Sequence, residues 1–368
     1  MPTTLSPCAQ LLFGCLLGLA ACQAPTPTEA SAASTLFPDQ ERFAVENTLT
    51  IPVPAGSQQV RFWFPLPREE DGQSIADLKV EAPAGWQQGG DDRGNRYVYA
   101  SVASPPDKIV VKTSFTVTRR ERNAAIDAAK TRPLTDAERT ENAMWLGNDK
   151  YVLVTPEVAS LAAQIRGDER NPLRIARKLY DWTLENVEYW VKDPNKWKAS
   201  PVGSSEYCLT NRTGNCTDFH SLYTALARAS GIPTRMEYGS LFKPALEGKD
   251  RDASYHCWPE SWFPGLGWVP NDVAVADIFA GPIALDANNT EKVALTTATG
   301  YEGPNPALVD YYFGNLDARR VTWTMGRDLT FEPRQAGGPV NANPKGYVEI
   351  DGAEFPKFER KMTYHEVH

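Results

Sequence analysis

Thr213-Gly214-Asn215-Cys216-Thr217-Asp218-Phe219-His220-Ser221-Leu222-Tyr223-Thr224-Ala225-Leu226-Ala227-Arg228-Ala229-Ser230-Gly231-Ile232-Pro233 is the stretch from which the rest of the chain can be read. Phe219, Leu222, Tyr223 and Leu226 recur at i, i+3, i+4 and i+7, the period of a helix with a buried face. Asn215 is a good N-cap, and Gly231 followed by Pro233 marks the C-terminal end. Cys216 therefore takes the first helical position. Unpaired backbone N–H groups and the positive end of the helix dipole meet there, and both favour a thiolate over a thiol.

A base is available downstream. Tyr255-His256-Cys257-Trp258-Pro259-Glu260-Ser261-Trp262-Phe263 is aromatic-rich and predicts a strand, Pro264-Gly265-Leu266-Gly267 a turn, and Trp268-Val269-Pro270-Asn271-Asp272 a second strand. Such a hairpin brings Asp272 beside His256, where a carboxylate can hold the imidazole while the imidazole deprotonates Cys216.

Gly-Asn-Cys-Thr-Asp-Phe-His, then His-Cys-Trp, then Gly-Trp-Val-Pro-Asn-Asp resembles the bacterial transglutaminase-like superfamily, which are papain-fold cysteine enzymes. The resemblance implies Cys216 as nucleophile, His256 as general base and Asp272 as orienting acid. It extends from the helix near Thr155 to Tyr-Phe-Gly-Asn-Leu-Asp (312–317) and Gly-Arg-Asp (326–328), about half of the chain. Strand alternation sends Asn271 and Asp272 to opposite faces, and the resemblance selects Asp272. His220, four residues after Cys216 on the same helix face, is expected to pack or to give a supporting hydrogen bond, as are Asn215 and Trp258.

The chain has 368 residues, enough for two domains, and its 42% hydrophobic content supports an ample core. A net charge of −8, with no basic cluster beyond Arg119-Arg120-Glu121-Arg122, argues against nucleic acid as a partner. There is no Gly-rich phosphate loop and no EF-hand pattern, and thiol chemistry of this kind requires no cofactor and no metal. Near the N-terminus, the apolar run Leu11 to Ala21 is too short to span a bilayer. It ends in Leu19-Ala20-Ala21-Cys22, which resembles a bacterial lipoprotein cleavage box. Export follows from that resemblance, with lipidation of Cys22 and a place on the periplasmic face of the outer membrane. A simple signal peptide cut nearby is the alternative.

The expected organisation is α+β: a leader (1–22), a flexible linker (23–35), an antiparallel β-sandwich (36–125), a papain-like catalytic core (126–335) and C-terminal strands (336–368). Sandwich strands are indicated by alternation in runs such as Val60-Arg61-Phe62-Trp63-Phe64 and Ile109 to Val117, separated by Gly, Pro and Asp clusters. Thr135-x-x-Glu138 predicts a capping box, and Thr155-Pro156 and Asn171-Pro172 open two helices. The segment from Tyr189 to Arg212, with Trp190, Trp197 and Gly203, is a candidate cleft wall. Val321–Thr324 and Tyr347–Ile350 are expected either to close the catalytic sheet or to form a C-terminal pair.

Three function classes fit these residues. The first is an enzyme that cleaves or transfers an amide-linked acyl group of a peptide, protein or peptidoglycan peptide, with hydrolysis favoured over cross-linking. The second is a zinc site drawn from Cys208, Cys216, His220, His256 and Cys257, although the spacing matches no CxxC arrangement. The third is a silent module that binds peptide or glycan. With Cys22 lipidated and Cys216 free, Cys208 and Cys257 remain as a possible disulfide pair.

Overall fold

The structure, a computed structural model, describes residues 36–249, 254–283 and 300–368. The cleavage box, Cys22 and the linker lie outside the described residues. Strands of four or more residues and α-helices are numbered below in chain order.

The first half folds as a two-sheet antiparallel sandwich. Its strands are β1 (Gln40–Pro52), β2 (Gln59–Leu66), β3 (Gln73–Glu81), β4 (Gln87–Gly90), β5 (Arg96–Ala103) and β6 (Lys108–Arg120). Alternation does the work in β1, where Phe43, Val45, Leu49 and Ile51 are buried while Arg42, Ala44 and Glu46 are exposed. β1 pairs with β6 along its length, placing Leu49 opposite Val111 and Val45 opposite Phe115. Leu49, Ile51, Val60, Phe62, Phe64, Val98 and Val111 then fill the space between the sheets.

A further sheet, which carries His256, consists of β7 (Thr234–Leu241), β8 (Tyr255–Phe263), β9 (Gly267–Pro270) and β10 (Arg320–Met325), in the antiparallel order β9-β8-β7-β10. Val321 and Trp323 of β10 pack with Phe43, Phe115 and Phe242, joining this sheet to the sandwich through one apolar cluster. Of the two runs expected to close this sheet or to form a C-terminal pair, Val321–Thr324 joins the sheet within β10, whereas Tyr347–Ile350 joins the sandwich. β11 (Tyr347–Ile350) pairs with β2 and β12 (Glu359–Glu366) pairs with β1, so the chain returns to the sandwich. The physical reason lies in the sandwich edges. Without these partners, β1 and β2 would each present a row of unpaired N–H and C=O groups.

Helices α1 (Asp136–Glu141), α2 (Pro156–Arg166) and α3 (Pro172–Asn186) form at the capping signals, with Thr135, Thr155 and Asn171 as N-caps. Three further helices are structured: α4 (Ser205–Asn211) in the expected cleft-wall segment, then α5 (Cys216–Ala229), then α6 (Val273–Ala280). A seventh, α7 (Pro306–Tyr311), packs on α6. Helix α5 is buried on every side from Cys216 to Arg228, not on one face alone. That requires its polar side chains to find partners inside. Ser221 donates to the Gly203 carbonyl, and Arg228 donates to Gly147 and Thr234 carbonyls and pairs with Asp149 at 2.8 Å.

Candidate active site

The nucleophile candidate is fixed by its helix cap. The Asn215 side chain accepts from the N–H groups of Thr217 and Asp218, and the Asp218 carboxylate accepts in return from the Asn215 N–H. Asp218 goes further than a first-turn charge, accepting also from Ser200 N, Ser200 Oγ and Ser204 N, which ties the preceding loop to the helix. Gly214 is required by this packing, since a Cβ there would stand 2.3 Å from the Asp218 Cβ. Cys216 is left at the first position, 4% exposed.

His256 lies in β8, paired with Gly239 of β7. A Cβ at 239 would meet the Trp258 ring at 2.5 Å, so glycine lets that indole lie across the sheet. The indole Nε1 donates to Glu237, and its ring sits beside His256 with centroids 6.3 Å apart. His256 Nε2 lies 2.9 and 3.0 Å from the two oxygens of Asp272. With Nε2 so committed, Nδ1 is the nitrogen left to face the thiol.

Asp272 does not end a strand, as the hairpin reading expects. β9 stops at Pro270, and Asp272 is the N-cap of α6, its Oδ1 accepting from Val275 N at 3.1 Å. The apolar run Val273-Ala274-Val275-Ala276 is long enough to turn helical once a cap is supplied. Arg320, wholly buried on β10, also reaches Asp272 at 3.1 Å and binds Asp317 at 2.5 Å.

These contacts set the charges. For Cys216 a hydrogen bond from the Cys257 thiol is the largest influence. Burial opposes it, and the His256 charge and hydrogen bond reinforce it, so the thiol pKa falls well below its ordinary value. For His256 burial disfavours the cation, but Asp272 and then the Cys216 thiolate outweigh it and raise the pKa to about 9. Burial also works against the Asp272 carboxylate, yet His256 and Arg320 hold its pKa far below the usual range. A thiolate–imidazolium–carboxylate row is the favoured state at neutral pH.

His220 supports the row from the helix side. Its Nε2 accepts from Ala274 N at 3.4 Å, which makes it the unprotonated nitrogen, and Nδ1 faces Cys257 Sγ at 3.4 Å. Burial lowers its pKa, consistent with a neutral ring. The 3.4 Å approach of Nε2 to Asp272 is then a close contact and not an ion pair. Cys257 points away from His256 along β8, as alternation requires, but that face is the one that packs on α5. Its sulfur therefore sits by Thr217 Oγ1 and Cys216. The possible Cys208–Cys257 disulfide is not formed: Cys208, Cys216 and Cys257 are all free thiols.

The wall segment contributes differently from expectation. Trp190 and Trp197 are half-buried, while the neighbouring Tyr189 packs edge-on against Phe219 of α5, and burial and then the charge of Cys216 hold its phenol pKa well above the ordinary value. Arg320 and Tyr189 carry no sequence signal of their own, although Asp317, the partner of Arg320, falls within the quoted Asn-Leu-Asp stretch. Among the described residues no group of three or more His, Cys, Asp or Glu side chains is arranged to hold a metal ion.

Residues 159–273, from α2 to just beyond Asp272, match the family model of the transglutaminase-like superfamily. That segment is a transglutaminase-like core. An uncharacterized protein of Haemophilus influenzae is 25% identical over 355 residues, covering 88% of this chain and 89% of its own. Among solved structures, one from Cytophaga hutchinsonii, provisionally assigned as a cysteine protease, superposes with a TM-score of 0.51 at 16% identity. It covers 89% of this chain and 98% of its own, so the sandwich-plus-core architecture is shared. The periplasmic domain of TgpA from Pseudomonas aeruginosa aligns more loosely, with a TM-score of 0.32 at 17% identity over 63% of this chain and 90% of its own.

Proposed function

We propose that this chain is a cysteine enzyme that opens an amide bond of a peptide, protein or peptidoglycan peptide through a thioester at Cys216. The observation that carries the reading is His256 standing between the Cys216 thiol and the doubly contacted Asp272 carboxylate. The thiolate attacks the carbonyl carbon and the S–C bond forms. His256 gives its proton to the leaving nitrogen as the C–N bond breaks. Water, activated by the now neutral imidazole, then releases the acid.

The first turn of α5 supports an oxyanion donor. Thr217 and Asp218 N–H groups are taken by the cap and the Phe219 N–H by the Asn215 carbonyl, which leaves the Cys216 N–H for the developing oxyanion. Hydrolysis is favoured over transfer, since no motif in the sequence identifies a lysine-acceptor site. Incubating the protein with peptide and peptidoglycan-peptide substrates, with and without a primary amine, separates the two by product mass. Turnover surviving in Cys216→Ala would remove the reading.

Export and lipidation at Cys22 are part of the proposal, supported by the Leu-Ala-Ala-Cys box. No helix among the described residues is long and apolar enough to cross a membrane. The expected result is a mature N-terminus at Cys22 carrying acyl mass, lost in Cys22→Ser; an unmodified N-terminus elsewhere ends the membrane claim.

A further inference from the structure

A cleft of about 490 Å³ lies on the far side of Arg320 from Asp272 and is lined in part by α6, the helix that Asp272 caps. Arg320 lines it and binds Asp272. Val275 and Phe279 line it from α6, and Leu241, Leu308 and Tyr312 complete an apolar wall. Three cations reach this lining: Lys243, Arg319 and Arg320. Two of them are neutralised. Arg319 pairs with Glu41 and Glu366 at 3.3 and 2.9 Å, and Arg320 with Asp272 and Asp317. The cleft's own carboxylate, Asp317, is thereby occupied.

Lys243 differs. It lies two residues beyond the end of β7, is half-buried, and its ammonium has no hydrogen bond or ion pair among the described residues. We propose that Lys243 selects the substrate: its ammonium receives the carboxylate of a peptide whose apolar side chain fills the cleft. The substrate class is therefore an apolar peptide carrying a carboxylate close to the scissile amide, from either the chain end or an acidic side chain.

The physical case is one of an unmatched charge. Partial burial disfavours the Lys243 ammonium, and the charge that favours it is the Cys216 thiolate. When the thiolate becomes a neutral thioester that support is gone. A substrate carboxylate supplies a counter-ion that remains through the acyl-enzyme stage. An amide-capped peptide of the same shape would leave the ammonium uncompensated. No bond is made or broken by Lys243, so it is a specificity residue and not a catalytic one.

This inference rests on Cys216 being the nucleophile, and the test keeps the two apart. Alkylation of Cys216 by iodoacetamide in the full chain, read by peptide mass, reports occupancy without turnover. Three probes are compared: acetyl-Ala-Leu-Phe with a free C-terminus, the same peptide as its C-terminal amide, and acetyl-Ala-Glu-Leu-Phe amide. The free acid, the glutamate peptide or both should protect the thiol at concentrations about tenfold lower than the plain amide. Which of the two protects tells chain end from side chain. Lys243→Met should abolish the difference while leaving the unprotected alkylation rate at its plateau, and Lys243→Arg should restore it. Equal protection by all three probes, no protection by any, or acid preference surviving in Lys243→Met would overturn the inference. An ordinary thiol pKa at Cys216 would instead count against the nucleophile, whatever the peptides do.

Discussion

His256 Nε2 stands 2.9 Å from Asp272 Oδ2, and the carboxylate that orients the imidazole also caps α6 and neutralises the buried Arg320. One side chain thus couples the proton-transfer geometry to the fold. Strand β8 through His256, helix α6 and the far strand β10 all converge on the same two oxygens. Substitution at this position should therefore move activity and stability together, but by different amounts for different replacements.

Asp272→Asn keeps an oxygen for the Val275 N–H and removes the charge. Turnover is expected to fall by about 10²–10⁴-fold, because the imidazole loses its orienting anion while nucleophile and oxyanion donor remain. Asp272→Ala should lose about the same turnover and in addition about 1 kcal/mol for the cap, plus the cost of leaving Arg320 with Asp317 alone. Comparing kcat/KM with thermal unfolding for the two variants checks this. Equal destabilisation by both would show that the cap contributes nothing.

The thiol should titrate in two steps. Cys216 is expected to alkylate well below the unperturbed pH of about 8.5, with a second change near pH 9, where His256 gives up its proton. His256→Ala should shift the first step upward, because the counter-charge is gone. Cys257→Ala should do the same by removing the S–H donor, whereas Cys257→Ser keeps a donor and should shift it less. Cys208 and Cys257, both held as thiols by burial, should stay unmodified in the same peptide maps. A single step at the ordinary thiol value, unchanged in His256→Ala, would leave the silent binding module as the better reading.

Much of this site could be read from the chain because its parts are local. The Asn215 cap, the helical period through Leu226 and the aromatic strand around His256 are each encoded within about ten residues. What could not be read depends on pairing across long separations. Arg320 reaches Asp272 only because β10 lies in the same sheet as β8, and no period announces that. Alternation sends Cys257 to the face opposite His256, but it does not say which element covers a face, and here it is α5. The C-terminal strands illustrate the same limit. Tyr347–Ile350 is plainly a strand, yet its partner β2 lies almost the whole chain away.

Arg320 tests the buried charge network directly. It is wholly buried, binds Asp272 and Asp317, and stacks on the Trp258 ring with its guanidinium carbon 4.8 Å from the centroid. Arg320→Met retains volume but strands two buried carboxylates, and a loss of about 3–5 kcal/mol is expected. Asp317→Asn in that background should recover part of it, since one of the stranded charges is then gone. Thermal or urea unfolding of the single and double variants decides the matter. Additive losses would mean that the two residues do not interact.

Glu237 gives the protein a stability profile that falls with pH. Burial is the main cause that lifts its pKa to about 8, and the neighbouring Glu260 and Glu70 carboxylates add to it, while Arg235 and Arg119 only partly offset them. The ordinary value is 4.5, so the native state holds a proton that the unfolded chain releases. The group's contribution to stability is therefore complete below about pH 4.5 and is lost as the pH rises through about 8. Glu237→Gln keeps an oxygen for the Trp258 Nε1–H and the Thr322 hydroxyl, and cannot ionise. Its unfolding free energy relative to the unsubstituted protein should rise by about 1–3 kcal/mol between pH 5 and pH 9. Titration of His256 near pH 9 also lowers stability at high pH, but it is common to both proteins and cancels in the difference. Melting curves of the pair across that range provide the measurement, and a difference that stays flat with pH would mean that Glu237 is ionised in the folded protein at pH 5.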